Sequence, residues 1–111
     1  MHELSIAESV VQAVVSRMGQ ARVGKVVLEI GRLSGVVPDS LLFCFDLVTE
    51  GTTLQGCSLE IVELTGLARC RACGAHVELT DLLALCECGS LDLEVLSGDQ
   101  LRIREVEVEH V

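Results

Sequence analysis

The stretches Cys70-Arg71-Ala72-Cys73-Gly74 and Cys86-Glu87-Cys88-Gly89 decide how this chain of 111 residues is organised. Each holds a pair of cysteines followed directly by a glycine, which tolerates the positive φ that a tight turn around a sulfur ligand needs. Four thiolates from two such turns are the ligand set of a closed tetrahedral Zn²⁺ site, which is structural rather than catalytic. We therefore predict a zinc site whose ligands are Cys70, Cys73, Cys86 and Cys88.

The second cysteine pair is one residue shorter than the usual C-x₂-C, so its turn cannot have the shape of the first. His76 lies between the pairs and is a substitute ligand if the short turn strains the site, although a solvent-exposed histidine is the simpler interpretation. Two alternatives to zinc use the same thiols: a pair of disulfides, or a redox-active Cys70/Cys73 pair. We prefer zinc, because residues 1–18 show no secretory signal and we expect a cytoplasmic protein whose thiols are reduced or metal-bound.

Composition argues against several classes of function. Half of the residues are apolar, yet the chain has two phenylalanines and no tryptophan or tyrosine, so we expect an aliphatic core. No run of 18 apolar residues is present, which predicts that no helix spans a membrane. The formal net charge of −9 and the lack of a basic patch argue against a nucleic-acid partner and favour a cationic one.

Hydrophobic periodicity predicts two helices. A capping box, Ser5-x-x-Glu8, predicts that the first begins at Ser5, and Gly19 is a fitting end. The second is predicted to begin at Pro38-Asp39 and to end at Gly51. The predicted buried faces are Leu4, Ala7, Val11, Val14, Val15 and Met18 on the first helix, and Leu41, Leu42, Phe45 and Val48 on the second.

Strands are predicted at residues 23–33, 58–65 and 101–109. In the first, Val26, Leu28 and Ile30 should form one buried face. The alternation of the last strand slips near Arg104-Glu105, where a β-bulge would restore one apolar face. The elements together predict an α+β fold, with a small three-stranded sheet, two helices that cover it and an inserted zinc-ribbon lobe.

Two domains are expected from the position of the cysteine pairs. Residues 1–66 with 97–111 should form the larger domain, and residues 67–96 the zinc-binding one. A segment this short rarely folds unaided, so the metal should supply much of its stability. The remaining cysteines, Cys44 and Cys57, are expected to be buried or bystander thiols.

The first residues form a separate candidate metal site. Met1-His2 brings the α-amine, the His2 amide and the imidazole close together, and nitrogen donors in a plane suit Ni²⁺ or Cu²⁺. Glu3 adds a carboxylate or an amide nitrogen. A histidine at position 2 is usually a solvated terminal residue, so the composition of this segment alone is a weak indication of metal binding.

The chain as a whole resembles the HypA/HybF family of hydrogenase maturation proteins. The similar stretches are MHELSIAESV, LEIGRLSGVVPDSLLFCFDLV, the paired cysteines and CGSLDLEVLSGDQLRIREVEVE, in that order. The resemblance implies a metallochaperone rather than an enzyme, with one Ni²⁺ bound by Met1, His2 and Glu3 and passed to the large-subunit precursor of a [NiFe]-hydrogenase. It also implies a HypB-type GTPase as partner, urease maturation in some members, and structural zinc on the four cysteines. We expect a monomer or a weak homodimer.

The chain departs from the family pattern in two places. The second cysteine pair is C-x-C where the family commonly has C-x₂-C. Some members place an acidic residue beside the nickel in the loop before the second helix, where this chain has Val37, with Asp39 two residues on. Asp39 is thus a candidate fourth nickel ligand, although it also fits a helix cap. Two other functions stay open: a zinc-ribbon interaction module without nickel, and a thiol–disulfide oxidoreductase using Cys70 and Cys73.

Overall fold

The computed structural model describes residues 3–80 and 85–109. Its elements in chain order are α1 (Glu3–Met18), β1 (Val23–Gly31), α2 (Pro38–Thr49), β2 (Ser58–Leu64), β3 (Gly66–Cys70), β4 (His76–Leu79), β5 (Leu93–Ser97) and β6 (Leu101–Val108). The strands form two sheets of three, in the orders β2-β1-β6 and β4-β3-β5. The predicted α+β fold class, with its sheet, two helices and ribbon lobe, is confirmed.

The chain divides into two compact units. The first comprises Met1–Leu28, Val36–Val62 and Arg102–Val111 and contains both helices. The second comprises Glu29–Gly35 and Glu63–Leu101 and contains the whole of the sheet β4-β3-β5. Within the described part of the chain, neither helix is long and apolar enough to cross a membrane.

Strand β1 is the middle strand of its sheet and is buried on both faces. Val26, Leu28 and Ile30 are buried, as their alternation predicts. Val27 lies between the residues of that face and so points to the other face of the strand, yet only 1% of its surface is exposed. A middle strand that is covered on both faces has a nearly continuous run of apolar residues. A prediction from strict alternation therefore assigns too few buried residues to β1.

Helix α1 begins at Glu3 instead of Ser5, so Ser5 lies inside the first turn and the capping-box prediction is wrong. Its buried residues are Ile6, Ala7, Val10, Val11 and Val14. Leu4 and Val15, which were predicted to be buried, are 48% and 36% exposed. The spacing of three and four residues is correct, but the true stripe is rotated towards Ile6 and Val10, which leaves Leu4 and Val15 beyond its edge. Gly19 follows the last residue of the helix with φ of 62°, and its N–H donates to the carbonyl of Val15.

Helix α2 begins at Pro38, as predicted, and ends at Thr49, with Gly51 close behind at φ of 77°. Leu41 and Phe45 are buried, and Thr49 completes the inner face. Leu42 is 37% exposed and Val48 is half-buried, so their predicted burial was too strong. Both lie on the flanks of a stripe that repeats at every fourth residue, from Leu41 through Phe45 to Thr49.

The strands of the second unit were not predicted. Strand β3 pairs antiparallel with both β4 and β5, and its pairing with β5 is irregular between Leu67 and Ala68. These strands have four or five residues each, which is too short for an alternation to be recognised. In β6, Ile103, Val106 and Val108 are half-buried with two exposed residues between the first two, so burial changes phase where the sequence does. The bulge itself stays a prediction.

The first unit has an aliphatic core, as the composition predicts. Its buried apolar residues are Ile6, Ala7, Val10, Val11, Val14, Val23, Val26, Val27, Leu28, Leu41, Phe45 and Leu54. The buried apolar residues described in the second unit are Ile30, Ala68, Cys70, Leu79 and Cys86. Two of those five are cysteines of the predicted metal site, so much of this small interior depends on sulfur.

Gly31 ends β1 at a point where the second unit has no room for a side chain. The N–H of Gly31 donates to the carbonyl of Gln100 at 2.8 Å. A Cβ at position 31 would overlap the carbonyl group of Gly98, which also accepts a 2.7 Å hydrogen bond from the N–H of Leu33. Backbone atoms tied down in this way cannot move aside cheaply.

We expect Gly31→Ala to destabilise the protein by about 1–3 kcal/mol, because the added methyl group forces this backbone apart. Gly24→Ala is the matched control in the same strand, since its Cβ would meet Glu109 Cβ at an ordinary 3.6 Å. Urea denaturation followed by circular dichroism measures both. Equal stability of the two variants would contradict the close packing at Gly31.

Candidate metal sites

The first cysteine turn begins at the last residue of strand β3. Cys70 is the last residue of that strand, and its N–H donates to the carbonyl of Ala75 at 2.9 Å. Its own carbonyl accepts the N–H of Gly74 at 2.8 Å, which closes the turn around Cys73. Gly74 has φ of 78°, so the glycine occupies the left-handed conformation predicted for it.

The second cysteine turn repeats this arrangement with one residue fewer. The N–H of Cys86 donates to the carbonyl of Ser90 at 3.1 Å, and the carbonyl of Cys86 accepts the N–H of Gly89 at 2.8 Å. Gly89 has φ of 90°. The shorter spacing therefore changes the size of the turn, as predicted, but keeps both closing hydrogen bonds and the glycine that permits them.

The two turns bring all four sulfurs together. The Sγ atoms of Cys70, Cys73, Cys86 and Cys88 lie within 4.8 Å of one another. Two of these separations are 3.6 Å between Cys70 and Cys88 and 3.5 Å between Cys73 and Cys86. Sulfur ligands about 2.3 Å from a tetrahedral Zn²⁺ lie about 3.8 Å apart, so the cluster fits this ion and the donor set that zinc prefers.

The alternatives to a metal fit the geometry less well. All six cysteines are free thiols, whereas a disulfide needs its sulfurs about 2.0 Å apart. A dithiol oxidoreductase would use the two partners of one C-x-x-C pair, whereas here the thiols of both pairs converge in one cluster of four. His76 is exposed on β4 and is not one of the clustered residues, in agreement with its simpler interpretation.

Backbone hydrogen bonds lower the pKa of one of the four thiols, which favours its thiolate form, the form that binds metals. The N–H of Cys73, followed by that of Ala72, lowers the pKa of the Cys70 thiol to about 6 against the opposing effect of burial. The N–H groups of Ala75 and Cys88 lower the pKa values of Cys73 and Cys86 respectively, but neighbouring thiols and burial outweigh them, so both values are raised.

Two ion pairs hold the first turn and β3 against the segment that follows the second turn. Arg71 Nη1 donates to Asp92 Oδ1, and Arg69 Nη2 donates to Glu94 Oε2, both at 2.9 Å. The Arg71 N–H also donates to the carbonyl of Asp92 at 2.9 Å. Exposed pairs of this kind stabilise little individually, but they fix the register in which the two cysteine turns meet.

Among the three N-terminal residues predicted to bind nickel, Glu3 lies within the described part of the chain. Met1 and His2 lie outside the described residues. Glu3 is half-buried at the start of α1, and its Oε2 accepts the N–H of Val37 at 3.3 Å. Val37 is the N-cap residue of α2 and makes no side-chain cap hydrogen bond, so Asp39 is not the helix cap that the sequence suggested. Asp39 lies in the first turn of α2 and lines an open pocket of about 510 Å³ together with Glu3.

The sequence did not predict the other residues that line this pocket. They are Leu4, Ser40, Phe43 and Cys44. The signal that could have found Phe43 is its distance of four residues from Asp39, which puts both on one side of a helix. Cys44 and Cys57 are half-buried, and burial, followed by the charge of Asp46, raises the pKa of Cys57, as befits packing thiols.

The fold and the thiolate cluster define a small α+β protein with a metal-binding ribbon lobe. Residues 1–108 match the family model described as "Hydrogenase/urease nickel incorporation, metallochaperone, hypA". The hydrogenase maturation factor HypA of Trichormus variabilis is 47% identical over 111 residues, covering 100% of this chain and 98% of that protein. The HypA of Geotalea uraniireducens is 47% identical over 110 residues, covering 98% of this chain and 100% of that protein.

Solved structures show the same fold. The solution structure of the Ni metallochaperone HypA from Helicobacter pylori aligns with a TM-score of 0.66 and 23% identity over 97% of both chains. This chain therefore belongs to the HypA family of nickel-incorporation metallochaperones for hydrogenase and urease.

We expect Cys73→Ser and Cys88→Ser to lose the metal of the ribbon lobe, because the fourth thiolate closes the tetrahedron. The untagged wild type should carry one zinc per chain by elemental mass spectrometry, and each of these variants much less. Cys44→Ser removes a half-buried thiol outside the cluster and is the matched control, with full zinc expected. Full zinc in Cys73→Ser, or a wild type with other metal content, would contradict the assignment.

Proposed function

We propose that this chain binds one Ni²⁺ through the Met1 amine, His2 and Glu3, and delivers it for maturation of a [NiFe]-hydrogenase. The observation that supports the proposal is the position of Glu3. It is the first residue of α1, and it lines the same pocket as a second carboxylate, Asp39. Met1 and His2 directly precede it in the chain, so a cation bound by them would have carboxylate ligands within reach. Membership of the HypA family supports nickel as the cargo.

The proposed ligand sets divide the work between two metals. Four thiolates with two buried members, Cys70 and Cys86, suit a Zn²⁺ that stays in place as structure. Nitrogen and oxygen donors at a chain terminus suit an ion that leaves by ligand exchange, because a square-planar Ni²⁺ keeps its axial positions open to an incoming ligand. The protein would thus act in the cytoplasm as a carrier and not as an enzyme.

The partners we propose follow from this role. A HypB-type GTPase would cooperate in nickel insertion, and the large-subunit precursor of the hydrogenase would accept the ion. Urease maturation proteins are a second acceptor class, since the family description names urease beside hydrogenase. The one zinc site, formed by Cys70, Cys73, Cys86 and Cys88, would stabilise the fold. Residues 67–96 would be the zinc-binding domain, and residues 1–66 with 97–111 the nickel-binding one.

We expect untagged wild type with one zinc to gain one Ni²⁺ in a titration followed by native mass spectrometry. His2→Ala should keep its zinc and gain no nickel, because the imidazole and the terminal amine bind as one chelate. Nickel bound equally by wild type and His2→Ala would overturn the N-terminal site and favour a zinc-ribbon module without nickel.

The same titration tests the candidate fourth ligand. Asp39→Asn removes the carboxylate that shares a pocket with Glu3, whereas Asp46→Asn removes one from elsewhere on α2 and serves as the matched control. A ligand role predicts weaker nickel binding in Asp39→Asn alone. Equal affinity of the two variants would leave Asp39 out of the nickel site.

We expect acid to release nickel before zinc. An imidazole titrates near pH 6.5, so protonation of His2 competes with nickel already as the pH falls from 7 to about 5. Thiolates in a closed zinc site compete with protons more strongly because all four ligands hold one ion. Dialysis at decreasing pH with elemental analysis measures both metals, and zinc leaving before nickel would contradict this order.

A further inference from the structure

The outward side of α2 carries large apolar side chains that the core does not use. Both phenylalanines of the chain lie on this helix, and Phe45 is 1% exposed whereas Phe43 is 66% exposed. Leu47 follows Phe43 by four residues, so it lies on the same side, and it is 51% exposed. Single exposed apolar residues are ordinary on a protein surface, but adjoining ones mark a site of interaction.

This apolar surface continues beyond α2. Phe43 lines the open pocket of about 510 Å³ together with Leu4 from the first turn of α1, and 48% of Leu4 is exposed. Both helices belong to the first unit and pack against each other. The exposed side of α2 and this pocket therefore form one surface, which we name the α2 docking face: Leu4, Asp39, Phe43, Asp46, Leu47 and Glu50.

The charge of the α2 docking face is uncompensated. Asp39 and Asp46 lie four residues before and three residues after Phe43, hence on its side of the helix, and Glu50 follows the last residue of α2. Among residues 3–80 and 85–109 none of these three acids forms an ion pair, and α2 contains no basic residue. Five of the eight basic residues of the chain form ion pairs with acids outside α2: Arg22–Glu109, Lys25–Glu60, Arg32–Glu63, Arg69–Glu94 and Arg71–Asp92.

We propose that the α2 docking face binds a protein segment that carries lysine or arginine beside large apolar side chains, as a basic amphipathic helix does. Its apolar side chains would cover Phe43 and Leu47, and its cations would meet Asp39, Asp46 and Glu50. A second copy of this chain is a poor occupant, because two such faces would meet with like charge and each chain carries a net charge of −9. Binding of such a segment does not require nickel. The inference rests on the proposed function in one respect: the bound segment would lie beside Glu3 and the Ni²⁺ proposed there.

The test uses a fluorescein-labelled synthetic helix of leucine and lysine, with a helix of leucine and glutamate as its counterpart. Fluorescence anisotropy should show that the wild type binds the leucine–lysine helix and not the leucine–glutamate one. Phe43→Ser should weaken binding about tenfold or more, as loss of a central aromatic anchor does. Asp46→Lys should weaken it strongly at low salt and less at high salt, because salt screens exposed charges.

Matched controls separate this surface from other effects. Leu91→Ser removes an apolar side chain that is 74% exposed in the second unit, and it should bind the helix like the wild type. His2→Ala should also bind normally even if it takes up no nickel, so failure of the nickel proposal and failure of the docking proposal give different results. Zinc content and circular dichroism show that each variant is folded, and Leu47→Ser replaces Phe43→Ser if the latter is not.

Three results would overturn the proposal. The first is no binding of the leucine–lysine helix by the wild type, or equal binding of both helices. The second is unchanged affinity in folded Phe43→Ser and Leu47→Ser. The third is a wild-type dimer in light scattering that Phe43→Ser converts to a monomer, which would assign the face to a second copy of the chain.

Discussion

The second unit depends on the meeting of four sulfur atoms. Few of its described side chains are buried, and Cys70 and Cys86 are two of them, so apolar burial alone offers little to hold its short strands. The backbone supplies the rest: each cysteine turn is closed by two hydrogen bonds, and the cross-strand pairs of Arg69 and Arg71 set the register in which the turns meet. Metal binding in such a lobe is a folding event as much as a binding event.

The sequence predicted the elements well where a pattern repeats and poorly where it does not. The two helices, the strands of the larger sheet and the clustered cysteines follow from repeated spacings. The predicted buried face of α1 is rotated relative to the observed one. Leu4 and Val15 satisfy the same helical spacing as Ile6 and Val10, and only packing decides which of them are buried. The contact between Glu3 and Val37 joins residues 34 positions apart, which no local pattern reports.

The two ligand sets proposed for this chain differ in a way that has a simple chemical basis. Soft thiolates converge from two turns that are each closed by two hydrogen bonds, and a site of that kind is suited to retaining Zn²⁺. The proposed nickel ligands are nitrogen and carboxylate donors, and a site of that kind would exchange its ion more readily. The C-x-C turn has one residue fewer than the C-x-x-C turn, yet both hydrogen bonds that close it at Cys86 are formed. A thiolate site of this kind therefore tolerates turns of different length.

If Glu3 binds nickel as proposed, the hydrogen bond from Val37 to Glu3 would link the start of α2 to the metal content of the first unit. Val37 has no side-chain cap of its own, so the Glu3 carboxylate acts as acceptor for the start of α2. If Glu3 turned towards a cation at the terminus, that exposed N–H would pass from the carboxylate to water, and the start of α2 would lose its hydrogen bond to α1. A full carrier and an empty one would then present different ends of the same helix, and a receiving protein could tell them apart without touching the ion.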